Sequence, residues 1–139
     1  MFLSSEKIKD AIQSGEFAIS PFSEANLNFA SYDFTLDKVL KVLSTEKEII
    51  LASEGYALKP GEFVVGKTVE KVDLKNKYLC LLSNKKTHAE KGINILLSST
   101  VVEPNTAGQL VIEICNNGPR SVHLFPDMVI AKGIFSKVS

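Results

Sequence analysis

Residues 58–72 read LKPGEFVVGKTVEKV and combine a turn with a long run of strand-forming residues. Pro60 and Gly61 are typical of a tight turn. The run from Phe63 to Val72 is rich in β-branched side chains, which favour strands. This stretch therefore predicts a turn that leads into a β-strand.

The remainder of the chain repeats this pattern, with short extended segments and a turn about every ten residues. The exception is one helix near the start, which Ser4 or Ser5 can cap and Gly15 can end. We predict eight to ten strands and one all-β domain over residues 1–139, a sandwich or barrel with a short N-terminal helix. Within it, residues 49–51 are expected to be buried and 93–97 to form a strand, and 121–125 is expected to pair with 128–135.

The composition narrows the class of function. The chain has 139 residues, of which 45% are hydrophobic and 23% charged, as in ordinary globular proteins. Lys plus Arg and Asp plus Glu are 16 each, which argues against a nucleic-acid partner. No apolar run approaches the roughly 20 residues of a membrane span, and the polar start is unlike a signal peptide. We expect a cytoplasmic protein without a membrane partner.

Cysteine and histidine spacing indicates neither disulfides nor a zinc site. Cys80 and Cys115 lie in apolar runs and are expected to be buried, reduced thiols. Neither His88 nor His123 has a cysteine pair nearby, as zinc-dependent base deaminases require. No glycine-rich phosphate loop is present. We therefore expect no metal site made of protein ligands.

Glu113 is the acidic residue least expected from its surroundings. In the strand 109–115, alternation puts Leu110, Ile112 and Ile114 on one face and Glu113 on the other, with Val111 and Cys115. A carboxylate on such a face points to solvent, pairs with a cation, or sits in a pocket as a general base. Periodicity leaves these alternatives open.

Three other features have both a structural and a functional interpretation. Glu103 stands at a strand-to-turn corner, where solvated acids are common. Asp33 lies between two aromatic residues and could anchor the start of a strand. Lys85, Lys86 and Lys91 form a charged loop that is either a solvated surface or an anion site.

Five segments, in order along the chain, resemble the dCTP deaminase and dUTPase superfamily. Residues 1–8 resemble the deaminase opening, and FASYDFTL (29–36) resembles its P-A-S-Y-D-L-R-L motif. LKPGEFVVGKT (58–68) resembles L-x-P-G-E-F-x-L-G-x-T. Residues 102–114 resemble I-D-P-G-F-x-G-x-I-T-L-E-L, and 117–130 resemble N-x-G-x-x-P-I-x-L-x-P-G-M-x-I.

The resemblance implies a distorted jelly-roll β-barrel, a homotrimer with active sites between subunits, and deamination without zinc. Glu113 occupies the position of the glutamate that activates the water attacking C4 of cytosine. Glu103 stands where the dUTPases have a turn aspartate that orients the water attacking the triphosphate. No tightly bound cofactor is implied, and Mg²⁺ is expected only through the nucleotide phosphates.

The family's phosphate motif G-R-S-S-x-x-R-x-G falls on residues 84–92 and is altered. Lys85 and Lys86 replace the first arginine and the first serine, and Glu90 replaces the second arginine. Lys85, Lys86 and Asp33 are the substrate-binding residues we predict, with lysine as a point charge rather than a bidentate donor. The family's C-terminal tail, which closes over the nucleotide, is also not expected here.

Three hypotheses follow. The leading one is a pyrimidine nucleotide hydrolase that converts dCTP to dUTP with Glu113 as general base. The second is a catalytically inactive trimeric barrel that serves as a binding or regulatory module. The third is a deaminase whose substrate carries no triphosphate.

Overall fold

The computed structural model describes residues 1–95 and 100–139. Within them lie two α-helices, one 3-10 turn (Glu24–Asn26) and twelve strands. The helices are α1 (Ser5–Gln13) and α2 (Lys86–Ala89). The strands are β1 (Ala18–Ser20), β2 (Tyr32–Thr35), β3 (Val39–Val42), β4 (Lys47–Ile50), β5 (Tyr56–Leu58), β6 (Phe63–Asp73), β7 (Tyr78–Asn84), β8 (Ile93–Asn94), β9 (Val101–Val102), β10 (Ala107–Asn116), β11 (Val122–Leu124) and β12 (Val129–Lys137).

The strands form three sheets. The largest has the order β4-β3-β6-β10-β8, and β1 also pairs with β6. The second has the order β2-β12-β7-β9, and β5 pairs with β11. The predicted all-β class is therefore confirmed, and so is the helix at the start, where the Ser4 side chain accepts a hydrogen bond from Lys7 N at 3.3 Å.

Aromatic side chains fill the core along the four-stranded sheet. Phe17 stacks on Phe135 with ring centroids 4.9 Å apart, and Phe34 is equally buried. Gly133 on β12 makes this packing feasible, because a Cβ there would lie 2.6 Å from the Phe34 ring and 2.8 Å from Cys80 Sγ. Burial raises the pKa of the Cys80 thiol to about 12.

The β6–β10 ladder contains one irregularity, and Thr68 is at its centre. The register shifts between Gln109 and Val111, so that residues 68–70 of β6 face Leu110 alone. The buried Thr68 hydroxyl donates to Glu70 O at 2.7 Å and accepts from Leu110 N at 2.9 Å. The hydroxyl thereby pairs the backbone groups that the shifted register leaves without partners.

Two local predictions were wrong. The segment 121–125 pairs with β5 rather than with β12, because Leu36 bonds to Asp127 and Met128 and directs β12 toward β2. Residues 49–51 are not uniformly buried, since Ile50 on β4, which pairs only with β3 among the described strands, is 74% exposed.

Two further predictions need qualification. Cys115 is only partly buried, because it lies on the outward face of β10. The predicted strand over 93–97 begins as β8, and its last two residues lie outside the described residues.

The Thr68 contact gives a stability prediction. Thr68→Val keeps the side-chain volume but leaves Leu110 N buried without an acceptor, so we expect the free energy of unfolding to fall by about 1–3 kcal/mol. Urea denaturation measures this loss. Thr87→Val, at an exposed position of α2, is the control and should change stability by about 0.5 kcal/mol or less. Equal effects of the two substitutions would contradict the role given to Thr68.

Candidate functional site

Glu113 lies on the outward face of β10. Leu110, Ile112 and Ile114 point into the core, with 5%, 2% and 0% exposure, whereas Val111 is 55% exposed. Glu113 is half-buried on the same face as Val111 and sits directly opposite Val65 of β6. The face predicted from alternation is thus confirmed.

Nothing in the described part of the chain neutralises Glu113. Its carboxylate has neither a hydrogen bond nor an ion pair with residues 1–95 or 100–139. The nearest cation by register is Lys67 on β6, which lies opposite Val111 and two residues from Val65. The backbones of Glu113 and Lys67 are diagonal neighbours about 7–8 Å apart, and their side chains form no ion pair. Of the alternatives for Glu113, pairing with a cation does not occur within this chain's described residues.

Other half-buried or buried acids differ from Glu113 because they have partners. Glu70 accepts from Thr35 N at 2.9 Å and from the Thr35 hydroxyl at 2.6 Å. Glu62 accepts from the Tyr56 hydroxyl, and burial together with this bond raises the Tyr56 pKa to about 12. These carboxylates hold strands and turns together, whereas Glu113 remains available to a ligand.

Glu103 lies far from Glu113 within one chain. Its carbonyl accepts from Thr106 N, and Thr106 O accepts from Leu74 N, so the turn sits beside the end of β6. Glu113 faces Val65 at the opposite part of the same ladder. About 20 Å of strand separates Ala107 from Glu113. A single chain does not bring the two predicted catalytic carboxylates together.

Asp33 and Lys85 form an ion pair. Lys85 Nζ lies 2.9 Å from Asp33 Oδ1, and the side chains are 25% and 16% exposed. Asn28 Nδ2 donates to the same oxygen at 2.8 Å. Lys132 stands directly opposite Asp33 on β12. The structure therefore brings two of the predicted substrate-binding residues together, but as partners of each other.

Lys86 lies on the adjacent helical turn and points to solvent. Its side chain is 88% exposed, and its ion pair with Glu90 is 4.0 Å long. The segment predicted as a charged loop thus contains the short helix α2. His88 of this helix donates from Nε2 to Val129 O at 2.6 Å, which links α2 to β12. Among the residues the structure describes, no three His, Cys, Asp or Glu side chains form a metal-ligand group.

Sequence reasoning missed two members of this region. Asn28 and Lys132 reach Asp33 through a loop contact and a strand register. Alternation predicts that Lys132 shares a strand face with Ile130 and Ile134. It does not predict which strand pairs with β12 beside Lys132. The signal needed was the pairing of β2 with β12.

Comparison with known proteins identifies the family. A family model described as dCTP deaminase-like matches residues 2–138. The chain belongs to this dCTP deaminase-like family. It is 26% identical over 155 aligned residues to a "dCTP deaminase, dUMP-forming" of Beutenbergia cavernae, covering all of this chain and 81% of the relative.

Solved structures share the fold. The 2'-deoxycytidine 5'-triphosphate deaminase from Agrobacterium tumefaciens superposes with a TM-score of 0.77 at 15% identity, over 99% of this chain and 48% of that one. A mutant dUTPase from phage phi11 of S. aureus gives a TM-score of 0.59 at 15% identity, over 88% of this chain and 91% of that one. The jelly-roll barrel predicted for this superfamily is therefore confirmed.

The Asp33–Lys85 pair gives a second prediction. Asp33→Asn, Lys85→Gln and the double variant form a cycle in which we expect a coupling of about 1 kcal/mol that salt reduces only in part, because both side chains are shielded from solvent. Urea denaturation at low and high salt measures it. The exposed pair Lys86 and Glu90 is the matched control and should show almost no coupling. Similar values for both pairs would contradict a shielded interaction at Asp33.

Proposed function

We propose that this protein is a zinc-independent dCTP deaminase in which Glu113 is the general base. The observation that carries the proposal is a half-buried glutamate on an outward face with no partner among the described residues. Family membership adds the substrate class, since the relative from B. cavernae is named a dCTP deaminase. The substrates are deoxynucleotides, and the reaction takes place in the cytoplasm.

In this reaction Glu113 activates water for hydrolysis of the bond between C4 and the 4-amino nitrogen. The carboxylate takes a proton from water while the oxygen bonds to C4 of cytosine. The proton then passes to the 4-amino group and the C4–N bond breaks. Ammonia departs, and the ring that remains is uracil. No step needs an electron acceptor or a protein-bound metal, and any Mg²⁺ enters bound to the substrate phosphates.

The product depends on Glu103. Deamination alone gives dUTP, whereas the name of the B. cavernae relative specifies dUMP. Forming dUMP requires water to attack the triphosphate as well. We assign the orientation of that water to Glu103, which is exposed in its turn and has no side-chain partner in the described part of the chain.

A homotrimer would explain how two distant carboxylates serve one substrate. On the outward face of β10, Val111 is 55% exposed and Glu113 is half-buried. Exposed apolar groups, Val111 and Ile50, lie on this sheet. Association through such a surface would bury it and place the turn of one subunit near Glu113 of another.

A non-catalytic barrel is the second candidate, and the phosphate region supports it. Lys85 is occupied by Asp33, and Glu90 puts a negative charge where the family motif has arginine. Each lost charge-assisted phosphate contact weakens binding by about 1.5–3 kcal/mol. Under this alternative the folded trimer would bind neither dCTP nor dUTP.

Replacing the base tests the main proposal. We expect Glu113→Gln to reduce ammonia release from dCTP by about a hundredfold or more, because the amide cannot accept the proton. Chromatography of dCTP, dUTP and dUMP in the presence of Mg²⁺ measures the products. Glu54→Gln, at an exposed turn outside the described strands, is the control and should retain full activity. Retained deamination by Glu113→Gln in a folded protein would remove this role, and a wild-type protein without turnover or nucleotide binding would favour the second candidate.

The product assignment has its own test. Glu103→Gln should stop pyrophosphate release and leave ammonia release intact, so that dUTP accumulates in place of dUMP. The same chromatographic assay separates the two steps. Unchanged dUMP formation by Glu103→Gln would exclude Glu103 from the second step without affecting the assignment of Glu113.

A further inference from the structure

A cavity of about 600 Å³ lies between residues 90–91 and the segment 119–125. Its walls include Lys91, Arg120, His123 and Phe125. Neither Glu113 nor Glu103 lines it, nor do Asp33, Lys85 and Lys86; Glu90 and Lys91 come from the end of the segment 84–92 that carries the altered phosphate motif. Its volume is within the range of about 300–1,000 Å³ found for small-molecule sites.

The lining of the cavity carries two cations, Lys91 and Arg120. Arg120 is the single arginine of the chain, in which the other basic residues that carry a full charge are all lysines. Arg120 and Lys91 form no ion pair with the described residues, whereas the one acid in the cavity wall, Glu90, faces Lys86 at 4.0 Å. A guanidinium group binds phosphate in bidentate fashion, as lysine cannot.

The segment that carries Arg120 also presents two rings. His123 and Phe125 lie with their centroids 6.0 Å apart and their planes 20° apart, and Phe125 is 42% exposed. Gly55 holds Phe125 in this position, because a Cβ there would lie 2.8 Å from the ring. The left-handed φ of 78° at Gly55 makes a side chain unfavourable at that position as well.

The backbone around the cavity is held rigidly. The buried Asn116 side chain donates to Leu58 O at 2.9 Å and to Arg120 O at 2.8 Å, and accepts from Gly118 N at 2.9 Å. Gly92 and Gly118 touch so closely that a Cβ on Gly92 would lie 2.3 Å from Gly118 N. The arginine and the rings therefore stand on a preformed frame, which reduces the entropy lost when a ligand binds.

We propose that this cavity binds a nucleoside monophosphate, with the phosphate on Arg120 and Lys91 and the base on the rings of Phe125 and His123. Stacking on an aromatic ring accepts any base, so the site discriminates little between pyrimidine and purine. This site goes beyond the proposed deamination, because it uses neither Glu113 nor Glu103 and admits a purine that cannot be a substrate of that reaction.

Titration calorimetry with AMP and with dUMP tests the proposal. The wild-type protein should bind both, and Arg120→Gln should bind each about tenfold or more weakly. Arg120→Lys keeps the positive charge but loses the bidentate guanidinium group, so its affinity should lie between those of the wild type and Arg120→Gln. Lys47→Gln, an exposed charge on β4, is the control and should bind as the wild type does.

Two further measurements separate the halves of the site. Phe125→Leu should weaken AMP binding severalfold and leave the affinity for inorganic phosphate unchanged. Absence of AMP binding by the wild type, undiminished binding by Arg120→Gln, or inorganic phosphate that binds as tightly as AMP would each overturn the proposal. AMP is neither a substrate nor a product of the proposed reaction, so the AMP results are independent of whether Glu113 proves catalytic, whereas dUMP also binds the active site if the proposed function holds.

Discussion

The Thr68 hydroxyl is the interaction on which the largest sheet depends. β6 carries two more residues than β10 in the middle of their ladder, and the backbone there would leave polar groups unpaired in the core. Thr68 supplies both a donor and an acceptor at that point, in a position with 0% exposure. Valine has the same shape but neither function, which is the physical reason for threonine at the end of the 58–68 motif.

The register that follows from this contact determines where Glu113 stands. Because the shift is by two residues, it preserves the alternation of faces and still moves each later residue along β6. Glu113 consequently faces Val65, while Lys67, which an unshifted register would place opposite Glu113, lies opposite Val111. The availability of this carboxylate is thus a property of the sheet as much as of the residue.

The features that could be predicted from the sequence are those determined by nearby residues. Alternation in β10 placed Glu113 on the outward face, and the cap and apolar spacing located α1. The replacement of the motif's second arginine by Glu90 could also be predicted from the sequence, because it required only a comparison with the family's phosphate motif. In each case the relevant neighbours lie within a few positions in the chain.

Features determined by distant strands could not be predicted. Asp33 and Lys85 are 52 positions apart, and their contact requires β2 and β7 to flank β12. The turn at Pro126 and Asp127 has the composition of a hairpin, yet Leu36 binds it and diverts the chain. No sequence motif marks Arg120, and only the folded chain places this single arginine in a cavity lining.

The position of β12 has a consequence for synthesis on the ribosome. This strand lies between β2 and β7, and Phe135 O also accepts from Leu3 N near the other end of the chain. The earlier strands of that sheet therefore have no central partner until β12 has emerged. Their edges stay open during translation, and such edges are prone to pair with other chains. The order in which these residues are made thus leaves strand edges exposed during synthesis that the finished fold covers.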